Sequence, residues 1–211
     1  MPFFEGSRGR LHYRRWPVRQ PLAVLEWLPG SGQHTGHYHR FARALGAQHI
    51  EVWGLDTAGQ GLSEGDPAAP GSIDELAADA LRLAALIRRQ LPDAALIVAG
   101  HSLGAATALT ARAALPDCAG LVLTGTPTRA ATPDALVPEG LPVLALHGVD
   151  DRRAPIDPIR DWTGRQQSVG LREYTDAGHD LLHEPVHARV TADIAEWVRG
   201  VVASAVRTPV E

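Results

Sequence analysis

The sequence predicts an α/β fold with a mostly parallel, doubly wound β-sheet. Its apolar runs are nearly continuous, as expected of strands that are covered on both faces. Each run is bounded by Gly or Pro, and helix-like segments separate one run from the next. Right-handed crossovers between such strands place helices on both faces of the sheet. In chain order the runs are LAVLEWLP, HIEVWGL, ALIVAG, GLVLTG, LPVLALHG and VGLREYTD.

Local signals define the elements around these strands. Residues 1–16 contain two short strand patterns around a Gly-rich turn, which predicts an antiparallel hairpin at a sheet edge. Ser72 and Glu75 have the spacing of a capping box, and the apolar stripe that follows them predicts a helix over 72–92. A similar period predicts a closing helix over 184–206.

Composition narrows the class of protein. The chain has 211 residues, a net charge of −4 and a single cysteine, Cys118. This length predicts one domain over residues 1–211, and a lone Cys forms no intrachain disulfide. Because no segment carries a run of Lys and Arg, we expect no nucleic-acid partner. No stretch has the length and apolarity of a membrane span or the apolar core of a signal peptide, so we expect a cytoplasmic protein. The oligomeric state is not predicted.

The pentapeptide GHSLG places Ser102 directly after the run ALIVA and before the helix-like segment GAATALTARAAL. A G-x-S-x-G between a strand and a helix is typical of a nucleophile elbow, in which a strained turn presents the serine. A simple bend in a glycine-rich chain is the alternative. The two interpretations differ in what else they need, because a nucleophile requires a base and an orienting carboxylate, and a bend requires neither.

Both partners of a nucleophile are found in the expected chain order of Ser, Asp and His. The segment HGVDDRRAP lies at the end of a predicted strand and contains two adjacent aspartates. We favour Asp151 as the orienting carboxylate and keep Asp150 as the alternative. His179 lies in a loop after the last strand and before the last helix. A solvent-exposed loop histidine is the alternative interpretation of His179 alone.

The loop PGSGQHTGHY after the first long strand predicts the oxyanion and substrate contacts. We expect the amides of Leu103 and Ser31 to form the oxyanion hole, since a glycine-rich loop lets the backbone approach a substrate. His34 and Tyr38 are expected to brace this loop. The histidines of HTGHYH lack a suitably spaced carboxylate, so we predict no metal and no cofactor. The predicted substrate-binding residues are Gly30, His34, Tyr38 and Trp162.

Taken together, the motifs resemble those of the serine α/β-hydrolases of the monoacylglycerol lipase and lysophospholipase family. The segment LPGSGQHTGHYHRFARAL resembles that family's H-G-x-G-x-H-S-x-R-Y loop, GLDTAGQGLSEG its D-x-R-G-H-G-x-S-x-G turn, HGVDDRRAP its H-G-x-x-D-x-x-V-P and DAGHDLLHEP its G-x-x-H-x-L-x-x-E. The resemblance covers nearly the whole chain. It implies an α/β-hydrolase fold with Ser102 as nucleophile, Asp151 as acid and His179 as base.

The chain departs from the family pattern at three places. Pro29 stands where the family has a His, so a hydrogen bond that steadies the oxyanion loop must be replaced or missing. Ala58 and Gln60 stand where Arg and His are common, which we interpret as structural drift. Residues 127–140 are only a short remnant where the family inserts a helical cap.

The resemblance and its departures together predict a serine hydrolase of carboxylic esters. With little cap, the cleft should be shallow and open, with walls from SGQHTGHY, residues 127–140 and PIDPIRDW. We expect a small-molecule ester substrate with a short or exposed acyl group, with monoacylglycerols and lysophospholipids as further candidates. A thioesterase, an aminopeptidase or a perhydrolase with the same triad is the alternative, as is a domain of the same fold that binds without catalysis.

Overall fold

The computed structural model describes residues 1–115, 117–132 and 136–207. These residues form one eight-stranded sheet with the strand order β1-β2-β4-β3-β5-β6-β7-β8. The β1–β2 and β2–β4 pairs are antiparallel, and every other neighbouring pair is parallel. The strands are β1 (Phe3–Gly6), β2 (Gly9–Trp16), β3 (Ala23–Leu28), β4 (Ile50–Leu55), β5 (Ala95–His101), β6 (Cys118–Thr124), β7 (Val143–Gly148) and β8 (Val169–Tyr174). The predicted fold class, including the N-terminal hairpin, is therefore confirmed.

The helices are α1 (His39–Gly46), α2 (Ile73–Gln90), α3 (Leu103–Ala111), α4 (Ile156–Thr163) and α5 (His187–Arg207), with short 3₁₀ turns at Thr35–Tyr38 and Arg112–Ala114. Helices α1 to α4 each connect two parallel strands, and helix α5 follows the last strand. The capping box before α2 is present, because the Ser72 side chain accepts from the Glu75 amide and the Glu75 carboxylate accepts from the Ser72 amide. Helix α5 begins later than predicted, since the preceding residues close a turn in which the His187 amide donates to the Glu184 carbonyl.

Two apolar clusters cover the two faces of the sheet. One contains residues of α2, α3 and α4, and the other contains residues of α1 and α5. Strand β3 shows why the strands are apolar at successive positions: Val24 and Leu28 belong to the first cluster, and Leu25 and Trp27 to the second. Glu26 is the one ionisable residue of this strand, and like its neighbours it is buried, at 0% exposure.

The connection between β6 and β7 is short. It spans residues 125–142, and its described part contains no helix or strand. Within the predicted cap remnant 127–140, residues 133–135 lie outside the described residues. None of the helices in the described part of the chain has the length and apolar character needed to cross a bilayer. All the described elements belong to or pack on this one sheet, and we retain the proposal of a single domain over residues 1–211.

Candidate active site

The turn between β5 and α3 is strained at Ser102. Its backbone has φ +52° and ψ −112°, an uncommon conformation for a residue with a side chain. The flanking glycines are required by close approach. A Cβ on Gly100 would lie 2.3 Å from the Gly104 carbonyl carbon, and a Cβ on Gly104 would lie 1.9 Å from the Leu28 carbonyl oxygen. The Ser102 amide donates to the Thr124 carbonyl at 2.9 Å, which holds the turn against β6.

The structure brings Ser102, His179 and Asp151 together. His179 Nε2 lies 2.9 Å from Ser102 Oγ, and His179 Nδ1 lies 2.7 Å from Asp151 Oδ2. These residues follow β5, β8 and β7, whose carboxyl ends meet at one edge of the sheet. The serine stays partly exposed and the aspartate is buried. The arrangement can pass a proton from a hydroxyl to an imidazole that a carboxylate orients.

Asp151 is held by several donors. Its Oδ1 accepts from the Arg153 and Ala154 amides at 2.8 and 2.9 Å. Burial would raise the pKa of this carboxyl, but hydrogen bonds from His147, from His179 and from the Ala154 amide hold it well below its usual range. Asp150, the alternative from the sequence, is exposed, and of the two aspartates it is Asp151 that contacts His179.

Glu184 fixes the loop that carries His179. Its two carboxylate oxygens accept from the Gly178 amide at 2.6 Å and from the Asp180 amide at 2.9 Å. This glutamate is the last residue of the segment that resembles the motif G-x-x-H-x-L-x-x-E, and no role was predicted for it. Its spacing from His179 was the available signal, because a carboxylate just before a helix can return to the amides of the preceding loop.

The loop after β3 lies directly against the serine turn. A Cβ on Gly30 would lie 3.3 Å from Ser102 Cβ and 2.8 Å from His101 Cδ2, so only a glycine fits. Within the described ranges, no atom accepts a hydrogen bond from the amide of Ser31 or of Leu103. Leu103 is the first residue of α3, where helix amides have no partner inside the helix.

Gln33 makes hydrogen bonds that hold the oxyanion loop, in place of the bond expected to be missing at Pro29. Its side-chain Oε1 accepts from the backbone amide of Gly30 at 3.0 Å. Its backbone amide donates to the Gly30 carbonyl, also at 3.0 Å. The Tyr38 hydroxyl donates to the same Oε1. Both backbone polar groups of Gly30 are therefore bound by one residue. Sequence reasoning missed Gln33, whose only signal was its place within the glycine-rich loop.

The remaining predicted substrate-binding residues have different surroundings. His34 caps the 3₁₀ turn by accepting from the Gly36 amide at 3.2 Å. Tyr38 packs on Trp27 at a ring-centroid distance of 4.9 Å and is 1% exposed. Trp162 is 2% exposed within the apolar cluster around α4. A side chain this deeply buried cannot line an open cleft, so the placement of Tyr38 and Trp162 gives no support to a direct substrate contact.

Several histidines gather beside the loop. The rings of His34 and His37 have centroids 4.0 Å apart, and the centroids of His37 and His183 are 6.1 Å apart. Among the described residues no group of three or more His, Cys, Asp or Glu side chains is arranged to hold a metal ion.

A mixed sheet with a strained serine turn after β5 and a histidine loop after β8 defines an α/β-hydrolase. The structure of XC6422 from Xanthomonas campestris, described as an α/β serine hydrolase without lid, has the same fold. The two match with a TM-score of 0.70 and 21% identity over 100% of this chain and 95% of that one. The chain belongs to the serine aminopeptidase S33 family, whose model matches residues 19–139.

Two curated relatives carry the predicted resemblance. The chain is 23% identical to the monoacylglycerol lipase of Mycolicibacterium smegmatis over 92% of this chain and 95% of the relative. It is 31% identical to the monoglyceride lipase of Homo sapiens over 58% of this chain, a match that spans 42% of the human protein. The prediction of a hydrolase of the monoacylglycerol lipase type is thus confirmed at the level of family and fold.

Proposed function

We propose that this protein is a carboxylic ester hydrolase in which Ser102 is the nucleophile, His179 the base and Asp151 the acid. The observation that carries the proposal is the line of contacts from Ser102 Oγ to His179 Nε2 at 2.9 Å and from His179 Nδ1 to Asp151 Oδ2 at 2.7 Å. The names of the two lipase relatives support an ester as the bond that is cleaved.

The proposed reaction has two halves. Ser102 Oγ attacks the acyl carbon while His179 Nε2 takes its proton, and Asp151 stabilises the imidazolium and holds its tautomer. The amides of Leu103 and Ser31 receive the oxyanion, and each such donor contributes roughly 3 kcal/mol. His179 then protonates the leaving alcohol, which leaves an acyl-enzyme. Water, deprotonated by the same imidazole, attacks this ester, releases the acid and restores Ser102.

An open site favours short or exposed acyl groups. The β6–β7 connection is short, and in its described part no helix covers the site. Ser102 and Leu103 are partly exposed. The lid-free description of the Xanthomonas structure supports the same proposal of a minimal cap. Monoacylglycerols and lysophospholipids remain candidate substrates because their ester lies at one end of the acyl chain.

A chain-length series of p-nitrophenyl esters tests this substrate class. An acyl tunnel that buries each methylene would raise kcat/KM about fourfold per methylene, from roughly 0.8 kcal/mol of transfer free energy. Without a tunnel we expect kcat/KM to be highest for acetate or butyrate and not to rise with longer chains. The measurement is made below the micelle concentration of each ester with Ser102→Ala as the blank. A steady rise up to dodecanoate would refute the open cleft.

The family description favours one other reaction of the same triad, cleavage at a peptide N-terminus. Parallel rates on aminoacyl p-nitroanilides, thioesters and the best ester separate these activities. We expect the ester to have the highest kcat/KM. A domain that only binds would hydrolyse none of them.

A further inference from the structure

A second contact between a histidine and an aspartate lies beside the proposed triad. Asp180 directly follows His179, and its Oδ1 lies 2.9 Å from His101 Nε2 and 2.8 Å from Gln33 Nε2. The ring centroids of His101 and His179 are 4.8 Å apart. The hydrogen bond from His101 is the main reason why the pKa of Asp180 is lowered to about 2. This carboxylate is therefore ionised and can hold two donors at once.

The hydrogen bond to Asp180 fixes the orientation of the Gln33 side-chain amide. Gln33 must present its oxygen to the Gly30 amide and to the Tyr38 hydroxyl, since both of those groups donate. A flipped amide would direct NH₂ at the Gly30 amide, which can only donate. The Asp180 carboxylate accepts only from the Nε2 side, so it selects the productive orientation. The carboxylate thereby determines the hydrogen bond that holds Gly30.

The other donor, His101, contacts the same loop at Gly30. His101 is 4% exposed, and burial lowers its pKa, so its ring is neutral near neutral pH. With its proton on Nε2, His101 donates a hydrogen bond to Asp180 at 2.9 Å. Its Nδ1 can then accept a hydrogen bond from the Thr124 hydroxyl at 3.1 Å. The ring edge lies against Gly30, where an added Cβ would approach His101 Cδ2 to 2.8 Å.

We propose that Asp180 is a positioning residue that aims the oxyanion loop at the serine turn, acting through Gln33 and His101. Both partners hold Gly30, whose neighbour Ser31 carries an amide that no described residue binds. Because Asp180 and His179 are adjacent, one loop sets the position of the base and of the oxyanion donors together. This inference rests on the proposed function and adds a group that does not touch the substrate.

Two substitutions at Asp180 separate positioning from a direct effect of charge. Asp180→Ala removes the acceptor, and we expect kcat for p-nitrophenyl acetate to fall by about 10-fold to 100-fold with KM changed less than about threefold. Asp180→Asn keeps a single oxygen that can accept from both donors, so kcat should return to within about fivefold of the wild type. A charge acting directly on His179 would instead make the asparagine variant as slow as the alanine variant.

Further variants complete the test. Gln33→Met should lower kcat by a similar factor, and adding it to Asp180→Ala should cause no further loss, because both act through one contact chain. Asp176→Asn makes the same change of charge at an exposed site in the same loop and should behave as wild type. The inference is overturned if Asp180→Ala retains kcat within threefold, if the asparagine variant gives no rescue, or if the two losses multiply. Retention of more than a tenth of the wild-type kcat in folded Ser102→Ala would instead overturn the proposed function.

Discussion

Replacing Ser102 with alanine is expected to lower kcat for p-nitrophenyl acetate by about 10⁴-fold or more. Without Oγ no acyl-enzyme forms, and only the oxyanion amides and substrate binding are left to accelerate direct attack by water. The fold should persist, because the one side-chain hydrogen bond of Ser102 seen in the described residues is with His179. Alanine has the same difficulty as serine with the positive φ of this turn.

Steady-state kinetics and thermal unfolding test this prediction together. We expect the melting temperature of Ser102→Ala to stay within about 2 °C of the wild type, since surface-accessible polar truncations cost little. His179→Ala should be similarly slow, and combining the two substitutions should add almost nothing, because the residues act as one unit. Retention of more than a tenth of the wild-type kcat in the folded Ser102→Ala protein would contradict the mechanism.

Replacing Glu26 with leucine is expected to stabilise the protein, by an amount that grows with pH. Glu26 is fully buried in the middle of β3, and neither carboxylate oxygen has a hydrogen-bond partner among the described residues. Its neighbours across the sheet are Trp53 on β4 and Val98 on β5, and both lie in the apolar cluster on that face. Burial raises the pKa of Glu26 well above its ordinary value of 4.5.

The sign of the pH effect follows from where the proton is bound. Below the ordinary pKa of a glutamate, both the folded and the unfolded chain keep the proton on Glu26. Above it the unfolded chain releases the proton and the folded chain retains it, so the free energy of unfolding falls by about 1.4 kcal/mol per pH unit. This loss continues until the pH reaches the raised pKa of the folded state. An unpaired buried carboxyl group costs roughly another 1–3 kcal/mol at any pH.

Urea unfolding from about pH 5 to about pH 8 measures this effect. We expect Glu26→Leu to exceed the wild type by about 1–3 kcal/mol at the acidic end and by a larger margin at the alkaline end. Glu26→Gln is the matched control, since it keeps a buried polar group but cannot ionise. The free energy of unfolding of Glu26→Gln relative to the wild type should also grow with pH. Its difference from that of Glu26→Leu should stay constant, because neither side chain titrates. A difference between leucine and the wild type that is independent of pH would rule out a protonated Glu26.

Local patterns predicted most of the fold. Continuous apolar runs gave the parallel strands because both faces of each strand are covered, as the two sets of contacts on β3 show. The capping box at Ser72 depends on residues three apart, so it is visible in the sequence. The motif GHSLG is also a local signal. Its glycines are required by close contacts within one strand-turn-helix unit and with the adjoining strand.

Contacts between distant loops were beyond sequence reasoning. Gln33 and Asp180 lie 147 positions apart, and nothing in either segment indicates the other. The burial of Trp162 could have been anticipated. Its spacing from Ile156 and Ile159 gives one buried face of α4, so the helical period already favoured the core over the cleft. Glu26 is the lone charge within LAVLEWLP, but its lack of a hydrogen-bond partner among the described residues depends on the packing of neighbouring strands.

The most direct test of the central claim is to map the site that a fluorophosphonate probe modifies. Such a probe reacts with an activated serine hydroxyl and leaves a stable adduct whose position peptide mass spectrometry can assign. We predict one adduct per chain, on Ser102, with labelling slowed strongly in His179→Ala although the hydroxyl is still present. An adduct on another residue, or a folded wild-type protein that the probe does not label, would contradict the account.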